Sequence, residues 1–107
     1  MLGYSLMAFE KVAGPEELPP GEMRELSRSG QPLVLCHAAG GLHVMEGTCP
    51  HAGGRLAHGA LHGTTVVCPW HAWEFDCTTG AMDFHDSVKL RKFPVERRDD
   101  GIYVDFG

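Results

Sequence analysis

The sequence predicts an all-β chain folded as an antiparallel sandwich or barrel. Strand-like runs of four to nine residues recur at short spacing, Gly, Pro and Asp punctuate them, and no segment offers more than a single turn of helix. Phe9–Val12 opens the series. Pro15-Glu16-Glu17-Leu18-Pro19-Pro20-Gly21 is a turn stiffened by prolines, and Met23–Ser27 follows as a strand. A helix over Glu16–Ser29 is broken by Pro19, Pro20 and Gly21. Pro32–His37 and Leu42–Glu46 read as a hairpin around Ala39-Gly40-Gly41. Thr64-Thr65-Val66-Val67 is β-branched, and Trp73–Asp76 forms a further short strand. Lys89–Arg97 and Ile102–Phe106 flank Asp99-Asp100-Gly101, a strong hairpin signal.

Length and composition bound the rest. The chain has 107 residues, 43% of them apolar, which suits one domain with its own core. No run of eighteen apolar residues offers a membrane span. Met1-Leu2-Gly3-Tyr4-Ser5-Leu6 shows no basic n-region, long apolar segment or twin arginine, so the protein reads as cytoplasmic. The formal charge of −5 argues against nucleic acid as a partner.

The chemistry is concentrated in two short loops, Cys49-Pro50-His51 and Cys68-Pro69-Trp70-His71, with sixteen residues between His51 and Cys68. One Cys and one His per loop, as C-x-H and C-x-x-H, is the ligand spacing of a Rieske [2Fe–2S] centre, in which two thiolates hold one iron and two imidazoles the other. Each proline stiffens its loop, leaving the remaining amides to aim at the cluster sulfurs. Three other readings compete. The residues could be unrelated core cysteines and surface histidines, but both pairs fall within four residues and both place Pro after Cys. A structural zinc site prefers wider gaps than C-x-H. A catalytic cysteine would want an orienting Asn or Asp, which neither loop supplies.

The stretch from Thr48 to Gly80, TCPHAGGRLAHGALHGTTVVCPWHAWEFDCTTG, closely resembles the cluster-binding region of Rieske-type ferredoxins, small electron carriers that feed ring-hydroxylating oxygenases. Looser similarity extends through Lys92-Phe93-Pro94-Val95 and Gly101-Ile102-Tyr103-Val104. The resemblance implies a single domain over 1–107, with the cluster loops on a small inserted subdomain at roughly residues 46 to 80. It implies that Cys49 and Cys68 bind the inner iron and His51 and His71 the outer one, one [2Fe–2S] cluster per chain. It also implies a carrier, not an enzyme, whose partners are a flavoprotein reductase and a terminal oxygenase. The chain is too short to house the mononuclear iron domain that a Rieske oxygenase also needs. A related branch comprises small subunits of nitrite reductases, many of which lack the ligands; this chain has all four, which leaves a Rieske subunit of a multicomponent oxidoreductase as the alternative. A freely exchanging carrier is expected to be monomeric.

The same resemblance bears on potential. Rieske proteins of respiratory complexes carry a disulfide between the loops, where this chain has Gly54 and Trp70. They also place a serine and a tyrosine, hydroxyl donors to cluster sulfurs, where this chain has Trp73 and Phe75. Fewer donors mean a less stabilised reduced state, so the potential is expected towards the bottom of the Rieske range, about −150 mV. Pro50, Ala52, Gly53 and Trp70 would form an apolar rim around the outer iron. Ring-hydroxylating ferredoxins usually cover the cluster with a proline-bearing loop; here Ala81–Val88 has none, and Met82 or Phe84 is expected to supply the cover.

Cys36 lies in the apolar run Pro32–Cys36 and reads as a small core residue, while Cys77 follows a strand and opens the turn Thr78-Thr79-Gly80. A disulfide between them is disfavoured in a reducing cytosol. His58 and His62 are four apart, but Gly59 and Gly63 favour a solvated loop over a helix face. His37, His43 and His85 read as surface or strand residues.

Overall fold

The computed structural model describes residues 8–50, 53–70, 73–82 and 85–106. Twelve strands are named in chain order: β1 (Phe9–Ala13), β2 (Met23–Arg28), β3 (Gln31–Ala38), β4 (Gly41–Glu46), β5 (Ala60–His62), β6 (Thr65–Val67), β7 (Glu74–Asp76), β8 (Ala81–Met82), β9 (His85–Lys89), β10 (Lys92–Phe93), β11 (Val95–Arg98) and β12 (Gly101–Asp105). A 3₁₀ turn over Leu56–His58 lies among them. The strands form three antiparallel sheets, ordered β1-β12-β11, β10-β4-β3-β2 and β5-β6-β7-β8-β9. The expected all-β antiparallel class therefore holds.

The four-stranded sheet is the middle layer. Its β3 carries Leu33, Val34, Leu35 and Cys36, all buried. Strand side chains alternate between faces. Leu33 and Leu35 join Leu26, Val44, Ile102 and Val104 in a core against the three-stranded sheet. Val34 and Cys36 join Met45, Val66, Phe75 and Met82 in a second core against the five-stranded sheet. The unbroken apolar run at Pro32–Cys36 is thus the mark of a strand covered on both sides.

Local chemistry sets the connections. β3 and β4 pair Ala38 with Gly41, leaving a two-residue turn at Ala39-Gly40 whose φ angles are 52° and 76°. Both lie in the left-handed region that the tight hairpin turn of this twist requires. Gly41 therefore begins β4 instead of belonging to the turn. β11 and β12 pair Arg98 with Gly101 around Asp99-Asp100, as the turn signal predicts.

Two expectations are corrected. Lys89–Arg97 is not one strand. The chain leaves the five-stranded sheet after Lys89, with Leu90 buried and its N–H donated to Gly80 O at 2.8 Å. β10 then joins the four-stranded sheet, and Pro94, having no N–H to give a ladder, marks the passage to β11 in the three-stranded sheet. The segment around His58 and His62 is not simply a loop: it holds the 3₁₀ turn and the edge strand β5, although both histidines are exposed. The sheet that carries the second loop runs from Ala60 to Lys89.

Candidate metal centre

Each candidate loop is closed by backbone hydrogen bonds at its base. In the first, Cys49 N–H donates to Gly54 O at 2.8 Å and Gly53 N–H to Cys49 O at 2.9 Å, while Thr48 and Arg55 form a bridge. In the second, Cys68 N–H donates to Trp73 O at 2.7 Å, directly between β6 and β7. Each cysteine thus stands at an equivalent place on its loop, at the last backbone bond before the tip among the described residues.

The first loop leaves β4 through Gly47, whose N–H donates to Pro32 O at 3.1 Å and whose carbonyl accepts from Leu56 N–H at 2.9 Å. An added Cβ there would lie 2.8–2.9 Å from the Leu33 backbone. Only glycine lets the loop lie so close to β3. Arg55, at the far end of the loop, reaches Glu25 of β2 at 3.5 Å, tying the loop back to the middle sheet.

The loops bring the two thiols together. Cys49 and Cys68 are buried and free, at 1% and 2% exposure, and lie near one another in the same core. Burial pushes the Cys68 thiol up from its ordinary value; the Trp70 N–H, 3.4 Å from its sulfur, opposes this, and the nearby Cys49 thiol adds to it. Two buried sulfurs near one another are a poor place for two thiolates unless a cation shares them, and metal binding supplies that cation in place of protons. Gly54 completes the cradle: a Cβ there would lie 3.2 Å from Cys68 Sγ and 3.3 Å from Trp70 Cγ. The thiol pair, the amide aimed at sulfur and the side-chain-free wall fit an iron–sulfur group.

His51 and His71 lie outside the described residues, as do Ala52 and Phe84, so the structure describes the thiol half of the expected ligand set. Among the described residues no group of three His, Cys, Asp or Glu side chains is placed to hold a metal ion. Met82 is buried in the same core as both thiols, where an apolar cover was expected, and belongs to a hairpin strand instead of a loop. Phe75 is fully buried in that core and Trp73 packs against it, their ring centroids 6.5 Å apart. Both side chains pack the core of this subdomain. Trp70 is 56% exposed, the one exposed large apolar side chain among the described residues.

Cys36 is fully buried in the core that contains the candidate ligands, as its apolar run predicts, and Cys77, which the sequence places only at a turn, is buried in the same core. His43 is half-buried rather than superficial: Lys92 Nζ donates to its Nδ1 at 3.2 Å, and its Nε2–H donates to Ala38 O at 3.2 Å. Burial first, and then the Lys92 charge, holds this imidazole below its ordinary pKa. Register supplies the only signal that would have found it, since His43 sits opposite Cys36 across β3 and β4.

Taken together, the site and fold define a small β module that presents a buried thiol pair on two loops. The Rieske [2Fe–2S] domain model matches residues 8–94, and the chain belongs to that family, whose cofactor is the [2Fe–2S] cluster. It is 31% identical over 96 residues to ferredoxin CarAc of Metapseudomonas resinovorans, covering 88% of this chain and 90% of that protein. It is 34% identical over 94 residues to apoptosis-inducing factor 3 of Homo sapiens, covering 87% of this chain but only 16% of that protein. Among solved structures, a chain in the complex of reduced oxygenase and oxidized ferredoxin in carbazole 1,9a-dioxygenase matches with a TM-score of 0.79 at 29% identity, over 92% of this chain and 94% of its own.

Proposed function

We propose that this chain is a low-potential one-electron carrier with no substrate of its own. It takes electrons from an NAD(P)H-dependent flavoprotein reductase and delivers them to a terminal ring-hydroxylating oxygenase. The observation that carries the reading is the convergence of Cys49 and Cys68, buried and near one another in one core, from equivalent places on two loops. The nearly end-to-end match to a ferredoxin supports the carrier role.

In this assignment Cys49 and Cys68 hold the inner iron, and His51 and His71 the outer one. The bound cluster supplies reversible one-electron chemistry. The protein supplies the rest. Gly54 leaves room at Cys68 Sγ, and the Trp70 amide gives that sulfur a donor. Trp73 and Phe75 offer no hydroxyl where high-potential relatives have one, which favours a potential low in the Rieske range. Pro50, Gly53, Pro69 and Trp70 are exposed around the loop tips, an apolar rim against which a partner can dock closely. In this reading the carrier is monomeric and works in the cytoplasm; no helix among the described residues is long and apolar enough to cross a membrane.

A second reading is an internal relay: a Rieske subunit or domain of a larger oxidoreductase, of nitrite-reductase type or otherwise. It is favoured by relatives in which the matching stretch is a small part of the protein, such as the 16% covered in the human relative.

The test is the EPR spectrum of the dithionite-reduced protein, with iron and sulfide counted on the same sample. A rhombic signal with average g below that of four-cysteine clusters, and two irons per chain, is expected. His51→Cys and His71→Cys should each raise the average g. Zinc in place of iron, with no signal, would remove the electron-transfer reading. Rapid reduction of the isolated chain by a separate flavoprotein would favour the carrier over the relay.

A further inference from the structure

A cavity of about 280 Å³ lies between the turn that joins β2 to β3, the end of β4 and the segment from Arg91 to Phe93. Its walls pair aromatic rings with guanidinium groups. The Phe93 and Phe106 rings are tilted against each other, with centroids 5.1 Å apart. The Arg28 guanidinium lies over the Phe106 ring at 4.1 Å, and that of Arg91 over the Phe93 ring at 4.9 Å. Pro32 and Leu33 add apolar surface. Gly47 and Thr48, the residues that lead into Cys49, close the cavity on the side of the first loop.

An arginine stacked on a ring is often packing and nothing more. Two observations go further here. The first is space. A cavity of about 150 Å³ lined by apolar side chains already admits benzene, and this one is larger. The second is charge. Arg28 is balanced, since its Nε and Nη2 donate to the two carboxylate oxygens of Glu10 at 3.3 and 2.8 Å. Arg91 is not: its Nη2 donates to Phe106 O at 3.2 Å, and its guanidinium meets no carboxylate among the described residues. Glu46 is the acidic side chain of the lining, and its Oε1 accepts the Arg91 backbone N–H at 2.6 Å. Two positive side chains thus face one negative one, and the Arg91 fork is the charge left open.

We infer that this cavity is a binding site for a small aromatic monocarboxylate, with its ring against Phe93 and Phe106 and its carboxylate on the Arg91 guanidinium. A guanidinium is planar and meets a carboxylate with two parallel N–H donors. A flat ring packs on phenylalanine edge-on or offset. Neither half is enough alone. An exposed guanidinium holds a simple carboxylate weakly, and an uncharged ring leaves the Arg91 charge unanswered. Glu46 sets a limit on charge, since a second carboxylate on the ligand would meet it as a like charge. The seated acid would lie against Gly47 and Thr48, at the base of the first loop, and would stabilise the folded chain in proportion to its occupancy. None of this depends on the cluster, so the site stands or falls separately from the electron-transfer reading.

The experiment titrates the full chain, as isolated, with sodium benzoate and follows amide signals by two-dimensional NMR. The Arg91, Phe93 and Phe106 signals are expected to move together and to saturate with a dissociation constant on the order of 1 mM. Benzamide has the ring without the charge, and acetate the charge without the ring. Each is expected to bind roughly tenfold more weakly or worse. Arg91→Gln should weaken benzoate binding by roughly tenfold, and Arg91→Lys, which keeps the charge but loses the fork, should restore only part of it. Arg91 is exposed, so little of the fold rests on it; if Arg91→Gln fails to fold, the signal map of the native chain and the two control ligands decide. Equal affinity for acetate, benzamide or inorganic phosphate would overturn the inference. So would unchanged binding in Arg91→Gln, or signals that shift across the other arginines without saturating.

Discussion

Gly53 and Gly54 are adjacent, yet alanine should fail at each for a different reason. At Gly54 the obstacle is space. An added Cβ would lie 3.2 Å from Cys68 Sγ and 3.3 Å from Trp70 Cγ, so one of them must retreat by a few tenths of an ångström. The Trp70 amide that points at the same sulfur moves with it. Overpacking of this kind costs about 1–3 kcal/mol, or roughly 4–12 °C in melting temperature for a domain of this size. At Gly53 the obstacle is backbone: φ is +75° and nothing among the described residues lies within 4 Å of an added Cβ. A left-handed alanine costs about 1–2 kcal/mol, so melting alone does not separate the two variants. The cluster's spectra do. Gly54→Ala should shift the visible circular dichroism and the EPR g values and lower the iron content, because it displaces a ligand. Gly53→Ala should leave both spectra unchanged, and Gly53→Asn, which tolerates positive φ, should recover stability. The reasoning fails if Gly54→Ala has the wild-type spectra, or if Gly53→Ala shifts them as much.

Two further outcomes follow from the titratable groups. His43 is held neutral by burial and by Lys92, so its folded-state pKa lies below the unfolded 6.5. Its stabilisation is complete above the unfolded value and is lost as pH falls through the folded one. The decline in melting temperature between about pH 7 and pH 5 should therefore flatten in His43→Gln; an equally steep decline in the variant would assign the acid sensitivity to other groups. Metal-bound imidazoles lose their remaining proton more readily when the metal is oxidised, so the reduction potential should fall at alkaline pH. Voltammetry from about pH 6 to pH 10 checks this, and a flat trace would exclude His51 and His71 as ligands.

Much of the site was legible because its ligands are local. A Cys–His pair within one loop needs no knowledge of the rest of the chain, and two such loops repeat the pattern. Turn chemistry exposed the hairpins at Ala39-Gly40 and Asp99-Asp100 for the same reason, since positive φ and two-residue spacing are written in adjacent residues. Short strands were harder. Ala60–His62 and Ala81–Met82 have two or three residues each, too few for an alternation to show, and they exist because neighbouring strands pair with them. Lys89–Arg97 reads as one run of β-compatible residues, yet three sheets divide it, since where a strand pairs depends on partners far away in sequence.

By itself, then, the sequence determined the chemistry of the two loops, the β class and the absence of any hydroxyl at Trp73 and Phe75. The tertiary structure decided what those pieces meet. It buried both faces of β3, made Gly47 and Gly54 necessary through close approach instead of flexibility, and set His43 against Lys92. It also brought Cys36 and Cys77 into one core between two sheets. Ligand type and turn propensity are properties of neighbouring residues, whereas the burial of residues 36 and 77 in one core is a property of how the sheets stack, which no local pattern encodes.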